Sequence, residues 1–398
     1  MTEHDRPSVP LAWPDIGPDE EAEVLAVLRS GRLALGPETQ EFERLAAAFT
    51  GSPWAVAVSS GTAGLHLAVR ALGVGPEDCV VMSSFTFISA ANAARYEGAE
   101  PVFVDIDPET LCLSPVELRR YLEECKERDG ALHDPLTGRR VAAVLTTDVF
   151  GHPAELDAIL DVTRGFEIPL ISDSCESLGS RYRRRGGEWV HAGSGAHVAV
   201  FGFYPNKQIT TGEGGMVTGA DPDVAERLLS MRNQGRRTGD PWLHHTRIGF
   251  NYRLDELSAA LGVAQMRRID EILERRAQVA RWYDEEFADV EGVATPLAAE
   301  WADPAWFVYF VRTDPGVLRD RLVQHLVANG VESKAYFDPP VHRQPPYAGR
   351  DDLVTAPLPV TDDAAARTMI LPFFSLMTRE QVQHVAGILR SGLVDGAR

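Results

Sequence analysis

Between residues 54 and 219, short apolar runs alternate with segments of helical periodicity, and this alternation constrains the fold more than any other feature. Seven runs have the character of strands: WAVAV, VVMSS, PVFVDID, VAAVLTTDV, PLISD, HVAVFGF and GGMVTG. Strands that are apolar throughout are covered on both faces, as in parallel sheets connected by helices. The pattern predicts an α/β fold with a mainly parallel sheet, and it predicts that binding residues lie at the strand ends and in the following loops.

The remainder of the chain has a different pattern. Ser114 to Glu117 form a capping box that starts a helix, and Gly73 ends an earlier one. After Asn251 the sequence becomes helical, and it then leads to an apolar run at 306–312 followed by two more helical segments. We therefore predict a large domain at residues 1–265 and a smaller C-terminal α+β domain at residues 266–398.

Charge and cysteine usage limit the functional class. The formal net charge of −19 argues against nonspecific binding to nucleic acid or to an anionic membrane. The first twenty residues lack the apolar core of a secretory signal, and no apolar stretch is long enough to span a membrane. The four cysteines show no CxxC pair, which indicates reduced thiols in a cytoplasmic enzyme and neither a disulfide framework nor a metal site: Cys79, Cys112, Cys125 and Cys175.

Lys207 is the first candidate for chemistry. In FGFYPNKQITTGEGGMVTG it follows an apolar strand and precedes a glycine-rich turn. An amine held between apolar walls loses its proton more readily and becomes able to attack a carbonyl. A surface lysine in a loop is the ordinary alternative.

Asp173 is the second candidate, because it ends the apolar run PLISD and stands 34 residues before Lys207. One strand and its connection separate the two residues, so both side chains can reach a planar cofactor. In pyridoxal-phosphate (PLP) enzymes an aspartate keeps the pyridine nitrogen protonated. Taken alone, Asp173 is better explained as a helix cap or an acidic loop residue.

The third candidate is the segment VSSGTAGLHLAV at residues 58–69, where a strand leads through a glycine turn into a helix. The helix N-terminus presents free N–H groups and the positive end of its dipole, which favour a phosphate. Ser59, Ser60 and Thr62 add hydroxyl groups. An ordinary N-cap is the alternative.

Taken together with these three signals, the sequence resembles the DegT/DnrJ/EryC1/StrS family of sugar aminotransferases, which have PLP fold type I. The resemblance covers nearly the whole chain through ordered blocks: LAWPDIGPDEEAEVLAVLRSGRLALGPETQEFE, SSFTFISAANAARYEGAEPVFVDID, TTDVFGHPAELDAI and IGFNYRLDELSAALGVAQMRRID. The resemblance implies that PLP is the cofactor, and it implies an α/β fold with a mainly parallel central sheet and a smaller C-terminal domain.

The resemblance also implies roles for single residues. Lys207 would form the Schiff base and move protons, and Asp173 would bind the pyridine nitrogen. Gly61 and Thr62 would bind the phosphate, while Phe87 would stack on the ring. Asn251, in GFNYR, matches an asparagine that reaches the cofactor of a neighbouring subunit, so a homodimer with shared active sites is expected. A buried turn asparagine is the alternative for that residue.

The sequence departs from the family pattern at two positions. Gly202 replaces a serine five residues before the lysine, so one phosphate hydroxyl is missing, and either Asn206 or Thr211 is a candidate to replace it. Glu176 replaces a glutamine or histidine three residues after the aspartate. A glutamate beside the cofactor oxygen is expected to be protonated or to alter the proton affinity of the bound cofactor.

The resemblance implies L-glutamate as amino donor and a nucleotide-linked keto-sugar as acceptor. Two arginine clusters, at 181–185 and 232–237, are candidates for the diphosphate, with solvated loops as the alternative. His342 is a candidate near the sugar. A cyclitol ketone is a variant acceptor, and a PLP-dependent lyase or dehydratase is the competing reaction class. A nonenzymatic regulator is the third hypothesis, and the presence of Lys207 and Asp173 together argues against it.

Overall fold

The computed structural model describes residues 9–394 except 238, 240, 242 and 355, and it contains one large sheet and two small ones. The strands in chain order are β1 (Trp54–Val58), β2 (Asp78–Ser83), β3 (Glu100–Val104), β4 (Lys126–Arg128), β5 (Ala131–His133), β6 (Arg140–Thr147), β7 (Leu170–Asp173), β8 (Arg181–Arg183), β9 (Trp189–His191), β10 (Val198–Gly202), β11 (Gly215–Gly219), β12 (Val293–Ala294), β13 (Ala302–Asp303), β14 (Tyr309–Thr313), β15 (Lys334–Ala335) and β16 (Thr368–Leu371).

The helices occupy the connections. In chain order they are α1 (Pro18–Ser30), α2 (Pro37–Thr50), α3 (Gly61–Ala71), α4 (Ser89–Tyr96), α5 (Pro115–Glu124), α6 (Leu156–Gly165), α7 (Pro222–Arg232), α8 (Glu256–Arg267), α9 (Ile269–Phe287), α10 (Arg319–Ala328), α11 (Pro359–Arg367) and α12 (Arg379–Val394). Three-residue 3₁₀ helices cover Val149–Gly151, Val341–Arg343 and Asp351–Leu353.

The large sheet has the strand order β1-β11-β10-β7-β6-β2-β3, and the hairpin β4–β5 extends from β6. The pairs from β10 to β3 along this order are parallel, whereas β11 is antiparallel to both of its neighbours. Every residue of β2, β3, β7 and β10 is buried, as expected for a sheet with helices on both faces. The predicted mainly parallel α/β fold is confirmed.

Apolar side chains pack on both faces of this sheet. Successive residues of a strand point to opposite faces, so Val80 packs in the core cluster that includes Leu67 of α3, and Val81 packs in the one that includes Leu122 of α5. The start of α5 follows the sequence signals, because Ser114 Oγ accepts a hydrogen bond from Glu117 N and Pro115 occupies the first helical position.

The C-terminal part forms its own antiparallel sheet, in the order β12-β14-β16-β15. The long helical stretch after Asn251 is two helices, and Arg268 lies between α8 and α9. Helix α9 contributes to two cores: Ile272 packs with the large-sheet side, and Tyr283 packs with the C-terminal sheet. The division at residues 265 and 266 therefore falls at the end of α8, and it stays a prediction.

The strands β1, β2, β6, β7 and β10 run in one direction, so their carboxyl ends lie at the same edge of the sheet. At this edge, or in the loops that leave it, lie six of the candidate residues: Gly61, Thr62, Phe87, Asp173, Glu176 and Lys207. Among the described helices, none is both long enough and apolar enough to cross a membrane.

Candidate active site

A cavity of about 610 Å³ opens at the carboxyl edge of the large sheet. Six of the seven predicted site residues line it: Gly61, Thr62, Phe87, Asp173, Glu176 and Lys207. The seventh, Asn251, is exposed and does not line the cavity. Residues from the ends of different strands thus converge, as expected for a mainly parallel sheet.

Lys207 lies in the turn that follows β10, and its side chain is only 14% exposed. Its Nζ lies 3.6 Å from Glu176 Oε1 and 3.8 Å from the ring centroid of Phe307. The predicted shielding of the lysine is therefore present. The aromatic wall comes from the C-terminal part of the chain, which sequence reasoning did not identify.

Asp173 is the last residue of β7, and its carboxyl group is buried. Its Oδ1 accepts a hydrogen bond of 3.2 Å from the backbone N–H of Cys175. Burial raises the pKa of Asp173 to about 6, although the hydrogen bonds from Cys175 and the charge of Lys207 oppose the rise. A carboxylate in such surroundings gains most from a cationic partner inside the cavity.

Glu176 is also buried, and burial raises the pKa of its carboxyl group. The Lys207 ammonium and the N–H of Phe150 oppose this rise, the latter through a hydrogen bond of 2.8 Å to Oε2. The side chain of Gln208 donates to the backbone oxygen of Glu176 at 2.6 Å, so the segment is anchored beside the lysine turn. Glu176 is therefore positioned to share or exchange a proton with Lys207.

The N-terminus of α3 forms another wall of the cavity. Ser60 caps the helix, because its Oγ accepts a hydrogen bond from Ala63 N at 3.0 Å. Gly61 and Thr62 occupy the first turn, whose N–H groups have no acceptor within the helix. This terminus is suited to an anion such as a phosphate.

Tight packing explains the glycines here. A Cβ on Gly61 would lie 2.9 Å from Cys175 Sγ, and one on Gly202 would lie 3.3 Å from the same atom. Cys175 therefore fills the space between these two glycines. A serine at position 202 would crowd it, which gives a physical reason for the departure at Gly202.

The two candidate replacements for the missing serine hydroxyl differ in the structure. Asn206 lines the cavity, and within the described part of the chain its side-chain Nδ2, the group that can donate to a phosphate, makes no hydrogen bond. Thr211 does not line the cavity, and its hydroxyl donates to Glu213 O at 2.7 Å. Asn206 is thus the residue of the two that is available to a ligand.

The far wall of the cavity was not predicted from the sequence. It includes Phe307, Lys334, Tyr336 and Phe337 from the C-terminal part, and Leu11 from the N-terminal segment. The runs FVYF and AYF mark aromatic segments, but nothing in their spacing relates them to Lys207. Their proximity depends on how the C-terminal sheet packs against the large one.

The predicted substrate-side candidates do not line the cavity. In the two arginine clusters, Arg185 pairs with Asp161 and Arg237 pairs with Glu226. His342 Nδ1 lies 2.7 Å from the hydroxyl of Ser84. Within one chain these residues are therefore engaged elsewhere.

Asn251 sits in a loop that is fixed beside the N-terminus of α3. The backbone oxygen of the next residue, Tyr252, accepts a hydrogen bond of 2.9 Å from Ser59 N. The side-chain hydroxyl of Tyr252 lies 3.1 Å from His66 Nδ1. Asn251 itself remains exposed. Its expected contact with a neighbouring subunit stays a prediction.

These features fit PLP. The α3 terminus suits its phosphate, the Nδ2 group of Asn206 adds a further donor, and buried Asp173 suits a protonated ring nitrogen. Phe87, whose side chain lines the cavity, offers a flat surface for a heterocycle. Within the described residues, no cluster of histidine, cysteine and acidic side chains is arranged to bind a metal ion.

Comparisons with known proteins agree with this geometry. The sequence pattern of the DegT/DnrJ/EryC1/StrS aminotransferase family matches residues 14–390. GDP-perosamine synthase of Caulobacter vibrioides is 34% identical over 394 residues, which are 98% of this chain and all of that protein. The dTDP-3-amino-3,4,6-trideoxy-alpha-D-glucose transaminase of Streptomyces venezuelae is 33% identical over 95% of this chain and 93% of its own length.

Among solved structures, S. venezuelae DesV in complex with a ketimine intermediate superimposes with a TM-score of 0.82. It is 34% identical, and the match covers 94% of this chain and 93% of DesV. The predicted family and fold class are both confirmed by these matches. From its sequence and its fold alike, the chain belongs to the DegT/DnrJ/EryC1/StrS aminotransferase family.

Proposed function

We propose that this protein is a PLP-dependent aminotransferase that moves an amino group from L-glutamate to a nucleotide-linked keto-sugar. The observation that carries the proposal is the convergence of the Lys207 amine, the Asp173 carboxyl group and the N-terminus of α3 on one cavity. The names of the relatives, a GDP-perosamine synthase and a dTDP-amino-sugar transaminase, support a nucleotide sugar as acceptor.

Different residues of the cavity would bind different parts of the cofactor. The first-turn N–H groups at Gly61 and Thr62 and the amide of Asn206 would hold its phosphate, and Phe87 would cover one face of the ring. Asp173 would hold the proton of the pyridine nitrogen. When bound, PLP supplies an electrophilic aldehyde and a ring that accepts the electrons released when a substrate proton leaves.

Lys207 would carry the proton between the reacting carbons, because it is the mostly buried one of the two lysines that line the cavity. Glu176 Oε1, 3.6 Å away, would keep that amine oriented and would take up or return its proton. The ring of Phe307 beside Nζ excludes water from one side. A shielded amine that is regenerated in each cycle is what a two-step amino transfer requires.

A homodimer with shared sites is part of the proposal. Several large apolar side chains on the cavity side and in the loop before Asn251 are exposed, at 61% for Phe87, 81% for Leu243 and 76% for Ile248. Leu243 and Ile248 lie in one loop, and exposed apolar side chains that cluster are typical of interaction surfaces. A second subunit on this surface would bring Asn251 towards the neighbouring cofactor.

The test separates this reaction from its alternatives. Purified protein loaded with PLP is mixed with L-glutamate and no acceptor, and 2-oxoglutarate is measured. An aminotransferase releases one equivalent per active site and then stops, whereas a lyase that removes a group from its own substrate releases none. Formation of an aminated sugar in the next step separates amino transfer from dehydration. Nucleotide keto-sugars and cyclitol ketones are then added, and the aminated product is identified by mass spectrometry.

The matched control is Lys207→Ala, which should release no 2-oxoglutarate. Absence of release from the unchanged protein would contradict amino transfer. Amination of cyclitol ketones alone would contradict the nucleotide-sugar assignment and leave the reaction class intact.

A further inference from the structure

Lysine is rare in this protein, and its distribution is uneven. Only three of the 39 basic residues are lysines: Lys126, Lys207 and Lys334. Two of these three, Lys207 and Lys334, line the same cavity. Lys126 lies on the exposed hairpin strand β4, away from the cavity. In a chain that otherwise uses arginine for positive charge, a second lysine in the cavity calls for a functional explanation.

Lys334 begins β15, which pairs with β16 in the C-terminal sheet. Tyr336 and Phe337, directly after this strand, line the cavity as well, so the segment is held against it on both sides of Ala335. The side chain of Lys334 is exposed, while that of Lys207 is mostly buried. Lys334 therefore lies at the open part of the cavity and Lys207 at its closed part.

The ammonium group of Lys334 makes no ion pair with any carboxylate of the described residues. This is unusual here, because many arginines of the chain are paired; Arg319, for example, contacts both Asp320 and Asp338. A cation without a protein partner at the entrance of a cavity is available to an anionic ligand.

The charges of the other side chains that line the cavity leave few groups that could bind an anionic substrate. Three acidic side chains line it, Asp173, Glu176 and Glu213, against the two lysines. If Lys207 serves the cofactor, Lys334 is the one remaining positive side chain among the described residues that line the cavity. A nucleotide sugar carries its negative charges on the diphosphate, several bonds away from the ketone that must reach Lys207.

We propose that Lys334 binds the diphosphate of the acceptor substrate, and this inference rests on the proposed function. The compact ammonium group acts as a point charge for phosphate oxygens and adapts to more than one diphosphate geometry. With the diphosphate bound to Lys334, the sugar ring of the substrate would lie between the two lysines, and its ketone would point towards Lys207.

The test uses the PLP-loaded protein and the variants Lys334→Met, Lys334→Arg and Lys126→Met. GDP and dTDP are titrated calorimetrically as nonreacting probes. We expect Lys334→Met to weaken the tighter of the two by about 10-fold or more, the effect of losing one charge-assisted hydrogen bond. Lys334→Arg should recover most of the affinity, and Lys126→Met should bind like the unchanged protein.

Separate measurements of the glutamate half reaction and the sugar half reaction show which substrate carries the anion that Lys334 binds. In Lys334→Met, release of 2-oxoglutarate from glutamate should keep its rate, while the KM for the nucleotide keto-sugar rises with little change in kcat. Unchanged nucleotide affinity would overturn the inference. A loss confined to the glutamate half would also overturn it, because the bound anion would then be a carboxylate of the donor. If the unchanged protein released no 2-oxoglutarate, the proposed function would fail instead, irrespective of nucleotide binding.

Discussion

Replacing Asp173 with asparagine should stabilise the cofactor-free protein above pH 6 and remove most of the activity of the PLP-loaded protein. The carboxyl group is buried at the end of β7, and burial raises its pKa from the ordinary 3.8 to about 6. At ~1.4 kcal/mol for each tenfold change in proton affinity, this difference corresponds to about 3 kcal/mol. An ionised Asp173 therefore opposes folding of the cofactor-free protein by roughly this amount.

The direction of the pH effect follows from the raised pKa. The folded protein binds the proton of Asp173 more tightly than the unfolded chain does. The contribution of this group to the unfolding free energy is therefore fully present below a pH near 4, and it is lost as the pH rises through about 6. Asparagine cannot ionise, and its oxygen can still accept the N–H of Cys175. The cofactor-free variant Asp173→Asn should therefore match the unchanged protein in acid and exceed its unfolding free energy by up to ~3 kcal/mol above pH 6.

The assay is urea denaturation of both cofactor-free proteins at equal concentration, at several pH values between about 4 and 8. Amino transfer by the PLP-loaded forms is measured in parallel, and the variant should retain some cofactor and lose most of its rate. A stability difference that does not change with pH would refute the argument about burial. A variant with normal turnover would refute the role of Asp173 as partner of the ring nitrogen.

Three further predictions concern the cavity and its support. Lys207→Ala should abolish amino transfer, and borohydride should no longer fix the cofactor to the chain, as mass spectrometry of the intact protein would show. Gly215→Ala should weaken PLP binding in a fluorescence titration and destabilise the fold by ~1–3 kcal/mol, because its Cβ would lie 2.5 Å from the backbone oxygen of Ser60; Gly75→Ala, with no atom within 4 Å, is the control expected to be silent. Phe42→Ala should lower the thermal unfolding midpoint through a loss of ~3–5 kcal/mol, because Phe42 is fully buried against Phe203, and an unchanged midpoint would contradict that packing.

Much of the site could be predicted because its residues follow strands whose type is evident from local composition. Asp173 and Lys207 come at or just after apolar runs, and parallel strands bring their carboxyl ends to one edge. Six of the seven predicted site residues therefore line one cavity. The helix boundaries also followed local signals, such as the cap at Ser114.

Other features depended on contacts between distant segments. The aromatic wall at Phe307, Tyr336 and Phe337 and the cation at Lys334 lie beside Lys207 only because the C-terminal sheet packs against the large one. The packing of Cys175 between Gly61 and Gly202 likewise needed the tertiary structure, as did the choice of Asn206 over Thr211.

Sequence blocks shared with a known family identified Lys207 and Asp173 as the central amine and carboxyl group. The sequence by itself also determined the strand–helix order and the edge of the sheet at which the chemistry lies. These follow from local interactions: apolar periodicity, capping and the direction of parallel strands. Only the tertiary structure decided which side chains close the cavity and how far the pKa of Asp173 rises. Burial and charge are summed over neighbours from every part of the chain, so no single stretch of residues contains that information.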